Sequence, residues 1–408
     1  MASRPPPPPA APTHLLRTHS SPVSALSISP DNERIYSGDA SGLIVVTSTR
    51  SLRPITTWNA HTDSLLGIEE WEEHIITDNK LHVWTRVEEL PASARLGGTT
   101  AQSATDLPRP TLCYSMDVNA LNYCRFSLLA LPDPSKGALV ALPNLVDSTS
   151  ADVWVLPSRE RIHAAIGQAG KTAIFNSDPA ERSKTGLIMS LHLYGVARDA
   201  SVPSSSQAVS PPQAQELRLL CAYESGSVTL RRYARTDKAT SVEGKGWEVI
   251  WDAKLHVESN ECRAVMAMRV SRANDVALTV SADHLVGRYD LTAANVDGCV
   301  AHRTKHPGNG AVAIRDDGRV CAVAGWDGSI RLYATRTMKP LGALRYHKTG
   351  CQAVEFAWAF VADDGGDDGE ESGDEMDQEE KVERARWLVG GGKDNRVSIW
   401  SLTSFEKT

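Results

Sequence analysis

The segment ARWLVGGGKDNRVSIW, residues 385–400, admits two incompatible readings. Three glycines followed at once by Lys393 resemble a loop that cradles phosphate, whereas the alternating residues after them have the period of a β-strand. The phosphate loop, GxxxxGK followed by Ser or Thr, needs a glycine five residues before Gly392, where Trp387 stands, and a hydroxyl after Lys393, where Asp394 stands. It also needs a helix next, because the helix N-terminus supplies the N–H donors and the favourable dipole end. RVSIW has period 2, so the segment reads as strand, turn and strand, with Lys393 a turn residue.

The same arrangement recurs along the chain. SADHLVGRY ends at Tyr289, GWDGSIRLY at Tyr333, GKDNRVSIW at Trp400 and TDNKLHVW at Trp84, and in each an Asp (Asp283, Asp327, Asp394, Asp78) stands six residues before the aromatic. A second element lies upstream: RTHSSPVSALSISPD from Arg17, NAHTDSLLGIEEW from Asn59, TKHPGNGAVAIRDDG from Thr304 and RYHKTGCQAVEFAW from Arg345. Each gives a His, a few small or polar residues, then alternating apolar positions that read as a strand. His19 to His61 is 42 residues and His306 to His347 is 41.

A period of about 40–45 residues, with His at one end and Asp-x5-Trp/Tyr at the other, resembles the WD repeat, which builds one four-stranded propeller blade per repeat. The resemblance implies an all-β, seven-bladed propeller. Blade 1 runs from His19 to Val46 and blade 2 from His61 to Trp84. A degenerate blade 3 runs from CYSMDVNALNY to ADVWVLP. Blade 4 pairs GLIMSLHLYG with LRLLCAYESGSVTLRRY, with Ser225 and Arg231 at the Asp and Trp positions, and blades 5 to 7 end at Tyr289, Tyr333 and Trp400. Too few residues follow SIWSL for a fourth strand, while PTHLLRTH at the start has no partner, so the N-terminal strand is expected to complete the last blade and remove its open edge.

One propeller is expected over 13–408, preceded by a proline-rich tail, 1–12, in polyproline II conformation. Insertions at about 91–110, 197–214 and 363–380 are rich in Ser, Pro, Gly or acid, and are expected to be disordered because they cannot bury apolar area. The last two fall between the first and second strands of their blades, on the face opposite the His-bearing loops.

Composition excludes several function classes. The chain has 408 residues, 41% of them hydrophobic and 23% charged, as in soluble proteins with one large closed β architecture or two to three domains. Eleven acidic and no basic residues lie between Asp363 and Glu380, and without them the net charge of −7 would be +4. The remaining cations are scattered, which argues against direct nucleic-acid binding. Seven cysteines, never closer than eleven residues, offer no CxxC pair, and favour reduced thiols in the cytosol or nucleus. MASRPPPPPAAP has no apolar core of a secretion signal, and no run of about 18 apolar residues suggests a membrane span.

Recurrent His and Asp invite an acid–base or metal reading. The WD-repeat resemblance implies a structural one: a buried network in each blade, here carried by His19, His61, Asp78, Trp84, Asp283, Tyr289, His306, Asp327, Tyr333, His347, Asp394 and Trp400, with His256 in a weaker context. No GxSxG, HExxH, GxGxxG after a strand or paired Cys/His cluster is present, so no catalytic, metal or cofactor residues are assigned and no small-molecule substrate is expected. The acidic run is a solvated loop or a contact for basic partners through Asp367, Asp368, Glu370, Glu371, Asp374 and Glu375, with Ser372 a candidate phosphorylation site between acids.

One segment is more specific. ALVALPNLVDSTSADVWVLPSRERIHAAIG, Ala138–Gly167, resembles the corresponding part of the fungal ASTRA-associated protein 1 family and its animal G-protein β-subunit-like relatives. LLCAYESGSVTL and WLVGGGKDNRVSIWSL are similar to that family's fourth and last blades. The resemblance covers nearly the whole chain. It implies a nuclear, non-catalytic scaffold of the ASTRA assembly that works with the TTT co-chaperone maturing phosphatidylinositol-3-kinase-related kinases and is linked to chromatin regulation; the cytoplasm is the second compartment. A general WD-repeat adaptor, such as a ubiquitin-ligase substrate receptor or G-protein-β-like scaffold, is the alternative, although MASRPPPPPAAP lacks the heptads of an N-terminal coiled coil.

Overall fold

A computed structural model describes residues 9–78, 80–88, 107–133, 135, 137–168, 186–197, 215–258, 261–360 and 376–402. Most of the expected proline-rich tail, nearly all of the insertions at 91–110 and 197–214, and the acidic and phosphorylation candidates from Asp367 to Glu375 lie outside the described residues.

The fold is a seven-bladed β-propeller. Its seven four-stranded antiparallel sheets follow one another along the chain, each ordered from its first strand outward. Two compact units can be described separately.

The first unit contains blades 1, 2, 6 and 7. Blade 1 is Val23–Ile28, Arg34–Asp39, Leu43–Ser48 and Pro54–Asn59. Blade 2 is Ile68–Trp71, His74–Thr77, Leu81–Thr85 and Leu112–Met116. Blade 6 is Asn309–Ile314, Val320–Gly325, Ser329–Ala334 and Pro340–Arg345. Blade 7 takes Cys351–Phe356, Trp387–Gly392 and Val397–Ser401, and its fourth strand is His14–Leu16, paired His14 to Ile399 and Leu16 to Val397. The N-terminal strand therefore completes the last blade.

The second unit holds blade 3 (Ser127–Ala130, Ala138–Pro143, Ala151–Leu156, Glu160–Ile166), blade 4 (Ile188–Val196, Glu216–Tyr223, Ser227–Tyr233, Trp247–Lys254) and blade 5 (Val265–Val270, Val276–Ser281, Leu285–Asp290, Val300–Arg303). Blade 3 begins later than CYSMDVNALNY suggests. Leu112–Met116 pairs with Leu81–Thr85 and is the outer strand of blade 2. The apolar alternation marks a strand but not its blade, and a long insertion separates it from its partner.

Second strands are buried on both faces and read as continuous apolar or small runs rather than alternating ones: ALVALP, VCAVAG and WLVGGG are buried throughout. The three glycines of the last run have a packing cause. A Cβ on Gly390 would lie 2.4 Å from Ile330 Cδ1 of blade 6, and one on Gly391 would lie 2.7 Å from Val23 Cγ1 of blade 1. On Gly392 it would meet the His347 ring at 2.4 Å. Blades 6, 7 and 1 approach too closely here for any side chain.

The last residues of the acidic insertion, 376–380, depart from the expectation of disorder. Met376 is buried, and a helix, Gln378–Arg384, begins within the stretch read as disordered. Asp377 caps it by accepting from Glu380 N at 2.7 Å, and the Arg384 guanidinium stacks 4.5 Å from the Trp387 ring. Acidity hid this helix, whose one buried residue is Arg384, with Met376 buried just before its cap. On the other side, Trp358 donates its indole N–H to Ile28 O at 2.9 Å and exchanges two amide bonds with Asn32.

Candidate functional site

Blade 5 assembles a complete network. His256 Nδ1 faces Asp283 Oδ2 at 2.9 Å, His256 Nε2 faces Thr279 Oγ1 at 2.8 Å, and Thr279 Oγ1 is 3.2 Å from the Tyr289 hydroxyl. Asp283 also accepts from Leu285 N at 2.8 Å, which closes the hairpin turn. In blade 7, His347 meets Asp394 at 2.8 Å and Ser398 Oγ at 2.8 Å, and the Trp400 indole donates to Ser398 at 3.0 Å. The hydroxyl comes from the third strand because Gly390 occupies the second-strand position.

Blade 1 reaches the same end with a displaced acid. His19 contacts Asp39 at 2.9 Å and Ser37 Oγ at 2.8 Å. Asp39 accepts from Ser41 N at 2.9 Å and Leu43 N at 3.2 Å. Asp39 stands six residues before Val45, not before an aromatic, so the Asp-x5-Trp/Tyr pattern passes over it; the SGD preceding a Gly-containing turn was the available signal.

Two blades depart from the expected network. In blade 2 the pairing of Ile75 with Trp84 and Thr77 with His82 makes the hairpin shorter than in blade 5, where Ala277 pairs with Tyr289. Asp78 consequently accepts from Leu66 N at 3.0 Å and Gly67 N at 2.6 Å, while His61 and the Trp84 indole both meet Thr77 Oγ1, at 2.8 and 3.3 Å. In blade 6 His306 is exposed, and Asp327 pairs with Arg331 and accepts from Ser329 N at 3.1 Å. Val323 stands where blade 5 has Thr279, so no hydroxyl is there to receive a His, and the long Arg331 side chain takes Asp327 instead. Blade 4 substitutes again: the Arg231 guanidinium donates to Tyr223 Oη at 3.0 Å and Ser225 bonds Ser227.

Ser37–His19–Asp39 and Ser398–His347–Asp394 have the bond lengths of a hydrolytic triad. Accessibility decides against that chemistry, because a nucleophile must reach a substrate. Ser37, Ser398, Asp39 and Thr279 are fully buried, and Ser37 Oγ also lies 3.2 Å from Val45 O. Burial holds the His19 imidazole below its ordinary pKa although Asp39 pulls upward, and it pushes His61 down to about 4 with help from His82. Such groups are neutral pegs that satisfy turn backbone. Among the described residues no group of three or more His, Cys, Asp or Glu has the arrangement of a metal site.

What the loops display outward is different. In blade 3, Asn144 Oδ1 accepts from Val146 N at 3.0 Å and Asp147 N at 2.9 Å, while its amide donates to both Asp152 oxygens at 2.9 and 3.0 Å. Asn119 donates to Asn144 O at 2.8 Å and Asn122 to Ser148 O at 2.8 Å, which ties the preceding loop to this one. The result is a braced pair of loops holding Val146 at 94%, Tyr123 at 73% and Leu121 at 69% exposure. Four side-chain amides and carboxylates fix apolar residues in water, an arrangement that solubility alone would select against.

The fold and its networks define a WD-repeat β-propeller. The family model described as "WD domain, G-beta repeat" matches residues 10–47 and 298–334. Proteins named ASTRA-associated protein 1 match almost end to end: 30% identity with that of Aspergillus niger, over 97% of this chain and 98% of the relative. Identity is again 30%, over the same shares, with that of Aspergillus flavus. With that of Schizosaccharomyces pombe it is 25%, over 85% of this chain and 93% of the relative. The chain belongs to the ASTRA-associated protein 1 family.

Proposed function

We propose that the protein is a non-catalytic scaffold of the ASTRA assembly, acting in the nucleus with the TTT co-chaperone in maturation of phosphatidylinositol-3-kinase-related kinases and in chromatin regulation. Family membership supports the assembly. The observation that carries the scaffold reading is the braced blade 3 surface, in which one loop of the segment Ala138–Gly167 and the preceding Asn119–Tyr123 loop present Val146 and Tyr123 to a protein partner. Aromatic and aliphatic side chains held rigidly lose little entropy on docking.

Affinity purification of the tagged full chain from nuclear extract tests this. Wild type should recover TTT subunits or the kinases, and Val146→Asp with Tyr123→Ala should lose them at unchanged thermal stability. Recovery of neither under mild salt overturns the proposal.

A further inference from the structure

A second outward surface lies in the first unit, on the His-bearing loops of blades 6 and 7 and of the N-terminal segment. Three hydrogen bonds join these loops edge to edge: Trp326 N donates to Gly308 O at 2.8 Å, Lys393 N to Gly350 O at 2.9 Å, and Asn395 Nδ2 to Ser20 O at 2.8 Å. Contacts fill the gaps between them. A Cβ on Gly308 would lie 2.8 Å from the Trp326 ring, and one on Gly350 would lie 3.1 Å from Trp326 backbone. The strip therefore runs from Lys305 through Trp326 and Lys348 to Lys393 and Arg17.

Trp326 is 46% exposed, at the middle of this strip. Lys305, Lys348, Lys393 and Arg17 are all exposed and have no carboxylate partner among the described residues. Of the acids on the same loops, Asp327 is neutralised by Arg331, and Asp394 is turned inward to His347. Outside the acidic run the chain carries +4, and this strip gathers four cations without a carboxylate partner around one exposed indole. Such a surface attracts anions over a Debye length and then offers a large apolar face to whatever arrives.

We propose that this strip is a docking site for an extended acidic segment of a partner protein, an Asp/Glu-rich stretch carrying one aromatic or aliphatic side chain that covers Trp326. The inference rests on the scaffold reading above and adds a second, chemically distinct contact. Charge complementarity selects the acid, and the lone indole selects one apolar anchor. Single-stranded nucleic acid, which is bound on successive aromatic platforms, would find one platform only.

The probe is a short fluorescein-labelled Asp/Glu peptide with one central Phe, titrated with the full chain by fluorescence anisotropy. Wild type should bind, with affinity that falls as salt rises. Trp326→Ala should weaken binding about tenfold or more. Because that substitution also removes packing on Gly308, the charge-reversal variant Lys305→Glu/Lys348→Glu/Lys393→Glu is the independent arm, and should weaken binding at least as much and flatten the salt dependence. Lys339→Glu, in the turn at the other end of blade 6, should leave binding unchanged. No binding by wild type at low salt, insensitivity to both variants, or tighter binding of a single-stranded RNA oligomer overturns the proposal. Parallel affinity purification separates the two readings. If wild type recovers the assembly but ignores the peptide, the strip reading fails alone; if it binds the peptide with these dependences yet recovers no assembly, the assembly reading fails alone.

Discussion

Replacing Gly390 by alanine places a methyl group 2.4 Å from Ile330 Cδ1 and 3.1 Å from Ser398 Oγ. Gly390 has an ordinary strand backbone, so alanine meets no dihedral strain and restricts the unfolded chain, which by itself stabilises by about 0.4–1 kcal/mol. Overpacking of a filled core costs about 1–3 kcal/mol, so the net expectation is a loss of about 1–2 kcal/mol. Ile330→Val removes the clashing Cδ1 and alone costs about 0.5–1.5 kcal/mol. In the double variant that carbon is gone, and the two losses should fall short of additivity by about 1 kcal/mol or more. For a chain of 408 residues a kcal/mol moves Tm by only about 1–2 °C, so urea titration is the better assay. Additive losses, or an unchanged midpoint for Gly390→Ala, would refute close blade approach as the cause of the glycines. Measurable ATP binding by the wild type would refute it from the other side.

Three further outcomes follow from the same geometry. His256→Ala, which leaves buried Asp283 and Thr279 without their partner, should destabilise by about 2–4 kcal/mol in urea titration, whereas His306→Ala, at an exposed site, should stay within about 0.5 kcal/mol. The Glu70 side chain is nearly enclosed and shared by Arg34, Arg86 and the Tyr36 hydroxyl, so Glu70→Gln should cost about 1–3 kcal/mol through the lost charge-assisted bonds, with Asp31 and Glu33 still facing Arg34; an unchanged midpoint would show that water reaches the cluster. Burial pushes His163 from 6.5 to about 4, so between these values the unfolded chain binds a proton that the folded one refuses. Stability should therefore fall as pH drops from about 6.5 to 4, by about 2 kcal/mol at pH 5 from His163, with further losses from His61 and His192, which burial also pushes to about 4. His163→Phe should flatten that pH profile.

The blade count and the N-terminal closing strand were legible because period-2 apolar runs and turn residues are local signals. The networks were legible only where hairpin length is constant. Asp283 and Asp394 sit at the turn position that spacing implies, but the shortened hairpin of blade 2 re-aims Asp78, and Val323 in place of a hydroxyl residue leaves His306 in water. Asp39 was missed because its acid lies two residues early and still reaches His19. Thr279, Ser398 and Arg331 carry no signal of their own; which hydroxyl or cation fills the gap depends on the neighbouring strand. The outward surfaces were the least legible, since Val146, Tyr123 and Trp326 matter through exposure, and exposure has no local sequence signature.

The strand His14–Leu16 and its partner Val397–Ser401 are separated in the chain by the whole of blades 1 to 6, while every other blade is contiguous. Until Val397–Ser401 has been made, therefore, blade 7 lacks its third strand and the N-terminal strand has no partner. Closing a loop of that length costs about 3 kcal/mol more than closing a ten-residue one, and it cannot begin until the third strand of blade 7 has been made. A variant truncated before Val397 would expose two unpaired edges rather than lose one strand.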